Sequence, residues 1–401
     1  MSQSAAHFSL PAKARNLALL AAAIGVAAAA VGWIFNPAAF YRAYLHSWLL
    51  WTDVSLGCLG ITMVVHLLGG AWGMAVRRLA EAAAMVLPVM AVLFIPIAIA
   101  AATGHLFPWA DASAWQADPI LVHRRPYLNV EFFLARAVIY GIVWIGLAWL
   151  LWRGSVAGVA DPGLPASATP TADWLYPLSG IGLVILVLSV GLFASTDWIL
   201  SLEPDYKSTV FGFIIVAGQG VSGLCALIAT LALLPASALP RPVEKDTWKD
   251  LGSVLLTFAM LWGYLVICQF VVNWMGNDQE QVGWYFRRMN NGWRAVSWIL
   301  LVLLIFIPLA KLLFRSTKRN PRKMLSMAVV LLIARGIDGF WMVNAAGNDP
   351  SPLVRDRISW LDFILPIGVG GAWVLSYAWL LGRAPIMIEP RPAPQGAVDA
   401  A

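Results

Sequence analysis

KSTVFGFIIVAGQGVSGLCALIATLALL, residues 207–234, carries no charged side chain after Lys207. A helix of about 20 such residues crosses about 30 Å of hydrocarbon. Inside that layer only a helix or a closed barrel satisfies its own backbone hydrogen bonds. Nine more predominantly apolar runs of similar length flank it, at 17–35, 44–69, 80–102, 130–152, 174–195, 251–274, 293–314, 323–345 and 359–382. The pattern predicts an all-α polytopic membrane protein with about ten transmembrane helices. Residues 1–388 read as one integral membrane domain, and 389–401, rich in Pro and Ala, as a disordered tail.

Composition agrees over the whole length. The 401 residues are 60% hydrophobic and 12% charged, where a soluble domain has about 25% charged residues. Twenty-one tryptophans suit a chain with many bilayer interfaces. The net charge of +6 comes mainly from Lys and Arg between apolar runs. No clustered basic patch points to nucleic acid. The N-terminus, alternate loops and the C-terminus carry about 15 of the 27 Lys and Arg, against about 9 on the opposite side, so both termini are expected in the cytoplasm. Lys13 and Arg15 precede the first run, which reads as a retained helix rather than a cleaved signal. Residues 103–129, with Trp109 and Trp115, read as a structured cap, and 153–173 as a flexible connector.

Cys58, Cys225 and Cys268 all fall inside apolar runs and read as packing residues. There is no C-x-x-C-H and no four-cysteine set, which excludes covalent haem attachment and a cysteine-held iron–sulfur cluster in this chain. His46 with His105 is the one pair open to bis-histidine ligation. His46 and His66 lie on one helix about 30 Å apart at 1.5 Å per residue, too far to share a haem.

An ionisable group inside a bilayer is costly, so each one is a functional candidate. Asp53 lies about nine residues into the second helix, and His66 lies near its inner end. Arg136 is in the fourth helix, Gln269 in the seventh, and Arg335 and Asp338 are in the ninth. Arg335 and Asp338, three apart, share a helix face and can pair. Asp197, Glu203, Asp205 and Asp362 gather near the outer surface, either as a proton relay or as a solvated rim. Arg77 and Glu81 read as an exposed i,i+4 pair. Gly218 with Ser222, and Gly69 with Gly73, fit small-xxx-small packing. Pro88 and Pro96 are expected to bend the third helix.

Five segments carry a resemblance: GGAWGMAVRRLAE (69–81), FASTDWILSLEPDYKSTVFGF (193–213), LLTFAMLWGYLVICQFVVNWMGNDQEQVGWYFRR (255–288), ARGIDGFWMV (334–343) and WLDFILPIGVGGAW (360–373). From about Tyr41 onward the chain resembles the integral membrane subunits of alternative complex III, a quinol:cytochrome c oxidoreductase, within the NrfD/polysulfide-reductase-type superfamily. Asp197, Trp198, Ser201, Leu202, Glu203 and Pro204 match the DW-x-x-SLEP pattern, and Trp262, Tyr264 and Gln269 match W-x-Y-x-x-x-x-Q. Asp205, Tyr206 and Lys207 stand where the family usually has His and aromatic residues.

The resemblance implies two four-helix bundles, from helices two to five and six to nine, flanked by two peripheral helices. It implies a multi-pass component of a bacterial inner-membrane complex that supports quinol oxidation and proton conduction without a redox cofactor of its own. Haem c and iron–sulfur centres are expected on partner subunits, beside a homologous membrane subunit and a terminal oxidase. Quinone is the candidate ligand. The candidate relay is Asp53, His66, Arg136, Arg335 and Asp338. The competing readings are a secondary transporter and an assembly subunit without chemistry.

Overall fold

The computed structural model describes residues 10–111, 119–157, 174–235, 238–239, 242–346 and 353–383. His7, Trp115, most of the proposed connector and the tail from 389 lie outside them.

The described residues contain ten helices long and apolar enough to cross a membrane. They are α1 (Ala12–Phe35), α2 (Pro37–Leu68), α3 (Ala71–Ala102), α4 (Val130–Ser155), α5 (Leu175–Leu202), α6 (Phe211–Leu233), α7 (Lys245–Gly276), α8 (Trp293–Leu312), α9 (Pro321–Asn344) and α10 (Leu361–Leu381). The protein is thus an all-α, multi-pass membrane protein. Large apolar side chains such as Val26, Ile34, Ile142, Ile181 and Ile333 face outward, as lipid contact requires.

Helices α2–α5 pack as one four-helix bundle and α6–α9 as a second. α2 and α6, the most buried spans, lie against each other and join the two bundles. α1 runs along α10 at the periphery, and both lean on α2.

Close approach, more than hydrophobic burial, holds helices together in lipid. Glycines supply it at three crossings. A Cβ on Gly57 would lie 1.9 Å from the Gln219 carbonyl oxygen, between α2 and α6. One on Gly25 would lie 2.4 Å from Gly368 Cα, between α1 and α10. One on Gly212 would lie 1.5 Å from the Gly191 oxygen, where α6 meets a π-helical turn of α5.

α3 bends as its prolines predict. It is helical over Ala71–Ala84, Leu87–Val92 and Ile95–Ala102, with Pro88 and Pro96 in the first turns of the second and third pieces. The Phe94 and Ile97 amides therefore bond to Ala91 and Phe94, which strands the carbonyls of Met90 and Leu93. α2 fills both vacancies: Trp48 donates its indole N–H to Met90 at 2.8 Å, and Tyr44 its hydroxyl to Leu93 at 2.8 Å. An unpaired carbonyl in this layer is expensive, so these two bonds fix α2 against the kinks.

The segment after α3 has the cap character expected of it. Trp109 is fully buried, stacked on Phe107 and packed against Phe133. Between α7 and α8 a surface helix, Gln279–Met289, lies between two sharp turns. Asn277, Asn291 and Gly292 take φ of 49°, 52° and 89°, a left-handed region that Asn and Gly tolerate best.

Two boundaries differ from expectation with consequences for the site. α2 begins at Pro37 rather than near 44, because Asn36 caps it by accepting the Ala39 amide at 3.1 Å. Asp53 is therefore at the middle of α2. α3 begins at Ala71 rather than 80, so Arg77, Arg78 and Glu81 belong to the helix and are buried. The expectation of an exposed Arg77–Glu81 pair is corrected: the extra turns are drawn into the bundle.

Candidate functional site

The central cluster is built from α2, α6 and α9. Arg335 bonds to Asp338, one turn along α9, and reaches Asp53 on α2 at 3.3 Å. Gln219 on α6 donates to the other Asp53 oxygen at 2.9 Å. Gly218 makes this possible, since a Cβ there would lie 2.5 Å from an Arg335 guanidinium nitrogen. Ser222 lies 3.4 Å from Arg335 Nε. The Gly218/Ser222 pair, expected as ordinary helix packing, is thus a notch for a guanidinium. Gln219, between them, was not singled out by sequence, because an uncharged amide in an apolar run carries no signal of its partner.

Asp338 also faces a second feature. A cavity of about 670 Å³ opens within the second bundle, walled by Trp262, Phe270, Trp284, Trp298 and Trp341. Asp338, Gln269 and Arg288 are polar groups that reach it from α9, α7 and the surface helix. The buried Trp262 indole N–H has no partner among the described residues. Gln269 donates to Tyr206, at 3.4 Å. Ile267 on α7 and Trp298 on α8 line the cavity and are also exposed on the outer face of these membrane-crossing helices. Such volume and apolar walls with few convergent polar groups characterise small-molecule sites.

Beside the cavity, Glu203 accepts a hydrogen bond from Arg288 at 2.6 Å and forms an ion pair with Arg287 at 2.8 Å. Arg288 is fully buried over the Trp284 ring, 3.7 Å from its centroid. Burial holds Arg288 below the ordinary arginine range, opposed by the charge of Glu203. The loop after α5 is thereby locked to the surface helix, with Tyr206 stacked on Trp284 at 4.8 Å.

The other sequence candidates form separate sites. Arg136 grips both oxygens of Asp197 at 2.8 and 2.7 Å, and Tyr140 donates to the same carboxylate at 2.8 Å. His66 contacts Ser179 at 3.0 Å and lies 3.7 Å from Glu81, which also holds Arg77 and Arg78 at 3.0 and 2.8 Å. Asp362 meets His46 at 2.9 Å, Asn344 at 3.0 Å and the Ser359 amide at 2.7 Å. So Asp197, Glu203 and Asp362, grouped by sequence at one surface, each have their own partners. His66 is thirteen residues from Asp53 along α2, about 20 Å at 1.5 Å per residue, and Arg136 belongs to the α4–α5 pair. Of the candidate relay, only Asp53, Arg335 and Asp338 are in direct contact.

Among the described residues, no group of three or more His, Cys, Asp or Glu could hold a metal ion. No protein-family model matches the chain, and a search of curated proteins gave no match.

Proposed function

We propose that this chain is a membrane subunit of a respiratory quinol:electron-acceptor oxidoreductase of the alternative complex III type. In this reading it supports quinol oxidation and carries protons through the Asp53–Arg335–Asp338 cluster. One observation carries the reading: Asp338 belongs both to the buried charge cluster and to the wall of a lipid-facing cavity. One guanidinium serves two carboxylates there, so the cluster either holds a proton or carries a net negative charge. A group poised between those states is what proton transfer inside a membrane needs. The cavity suits an apolar ring with oxygen acceptors: the aromatic walls would flank it, and Trp262 and Gln269 would supply N–H donors. Redox centres would reside on partner subunits.

The test is mild purification through a C-terminal tag, with a visible spectrum and a subunit gel. Co-purified haem c and iron–sulfur subunits, with haem reduced by quinol, support the reading. A colourless chain that stays alone in progressively milder detergents defeats it. Within an assembled complex, Asp53→Asn and Asp338→Asn should each impair proton release or uptake. Wild-type turnover and pH dependence in both variants would remove the proton role.

A second reading, an assembly subunit without chemistry, is favoured by a different observation: Asp197, Glu203, Glu81 and Asp362 all have basic partners. Loss of the complex on deletion, with no effect of any single charge replacement, would select it.

A further inference from the structure

A pocket of about 370 Å³ lies away from this machinery, where the α1–α2 junction meets the start of α10. Two arginines line it, Arg42 from α2 and Arg357 from the turn before α10. Both are half-buried and close enough to feel each other's charge. Neither makes a hydrogen bond or an ion pair among the described residues, and Arg42 Nε is a buried donor without a partner. Asp362 offsets the charge of Arg42 only in part, its effect ranking below burial and the charge of Arg357. Asp362 is engaged by His46, Asn344 and the Ser359 amide. Asp356, on the rim, is exposed and lies 3.5 Å from Arg355.

Two like charges held together in a partly desolvated pocket repel, and an anion between them relieves that repulsion while completing their hydrogen bonds. The other wall is apolar. Phe35 is 81% exposed and Trp360 49%, and both line the pocket. Ile34, 70% exposed, and Phe363, 65%, carry the apolar surface on along α1 and α10. A phosphate beside an acyl-covered surface is the chemistry of a phospholipid.

We propose that this pocket binds the phosphate of a phospholipid headgroup, held by Arg42 and Arg357, with the acyl chains along α1 and α10. The site does not depend on the respiratory role. It would fasten the peripheral α1–α10 pair to α2 through a lipid.

The experiment uses the full chain, delipidated in a neutral detergent, and follows thermal unfolding with added phosphatidylglycerol or with inorganic phosphate at matched ionic strength. Native mass spectrometry counts retained lipid. Phosphatidylglycerol should raise the unfolding temperature of the wild type and remain bound. Arg42→Gln and Arg357→Gln should each weaken retention by about tenfold, the loss of one charged hydrogen bond, and Arg357→Lys should weaken it less. Helicity by circular dichroism checks that the variants fold. Equal stabilisation by inorganic phosphate alone would overturn the lipid assignment. So would lipid retention unchanged in the folded double variant, or no response to either probe.

Discussion

Arg136 on α4 and Asp197 on α5, 61 residues apart, form a two-pronged ion pair inside the first bundle, with N–O distances of 2.8 and 2.7 Å. Removing one partner leaves a buried charge uncompensated, which costs about 3–5 kcal/mol, whereas replacing both with apolar groups is often far milder. Arg136→Leu should therefore lower thermal stability in detergent sharply, and the double replacement Arg136→Leu/Asp197→Leu should recover most of the loss. A double variant as unstable as the single one would show that the pair does more than neutralise itself.

The kinks of α3 give a second expectation. Tyr44→Phe and Trp48→Phe each abandon a carbonyl that the kink has already separated from its helical partner. Leaving a buried acceptor unpaired costs about 1–3 kcal/mol. Chemical denaturation of each variant should show that loss, and hydrogen exchange should rise in residues 85–97. Unchanged stability would mean that another donor takes over.

Glycine contacts separate two classes of position. Gly57→Ala would place a methyl group 1.9 Å from the Gln219 carbonyl oxygen, whereas nothing lies within 4 Å of a Cβ on Gly146. Gly57→Ala should destabilise the α2–α6 contact by about 1–3 kcal/mol, the usual penalty of overpacking. Gly146→Ala should be neutral or slightly stabilising in a helix. Thermal unfolding of the two variants side by side decides this.

Glu203→Gln should loosen the wall of the cavity. It removes the charge that Arg287 and Arg288 share, and leaves the fully buried Arg288 without a counterion. Limited proteolysis should then cut near the two left-handed turns at Asn277 and Asn291, where the wild type resists. Equal resistance would place the lock elsewhere, in the Tyr206–Trp284 stack.

Alkaline pH offers a test outside the membrane-spanning segments. Burial, and then the charge of Asp197, raises the Tyr127 phenol above its ordinary value. Burial and the neighbouring Tyr206 do the same to Tyr285. A phenol whose folded pKa is raised contributes stability that is full below about pH 10 and is lost as pH rises further. Unfolding followed by circular dichroism should steepen above that pH, and the Tyr127→Phe/Tyr285→Phe variant should show a shallower decline. An unchanged slope would assign alkaline unfolding to other groups.

Much of the architecture was legible without coordinates. All ten spans were found, because membrane crossing is a local property of about 20 consecutive apolar residues. The bends at Pro88 and Pro96 were equally local. Helix starts were less so: α2 and α3 both begin earlier than hydropathy suggests, since Asn36 caps one and the other draws Arg77, Arg78 and Glu81 inside the bundle.

By itself, then, the sequence determined a ten-span helical membrane protein and the ionisable residues worth attention, together with the two ion pairs set by helical spacing, Arg335 with Asp338 and Arg77 with Glu81. Only the tertiary structure decided the rest of the pairing. It joined Asp53 to Arg335 across 282 residues, divided Asp197, Glu203 and Asp362 among Arg136, Arg288 and His46, and turned Gly218 into a seat for a guanidinium. The physical reason is one of range. Hydropathy and helical period act over a few residues, whereas a buried charge takes its partner from whichever helix packing brings within about 3 Å.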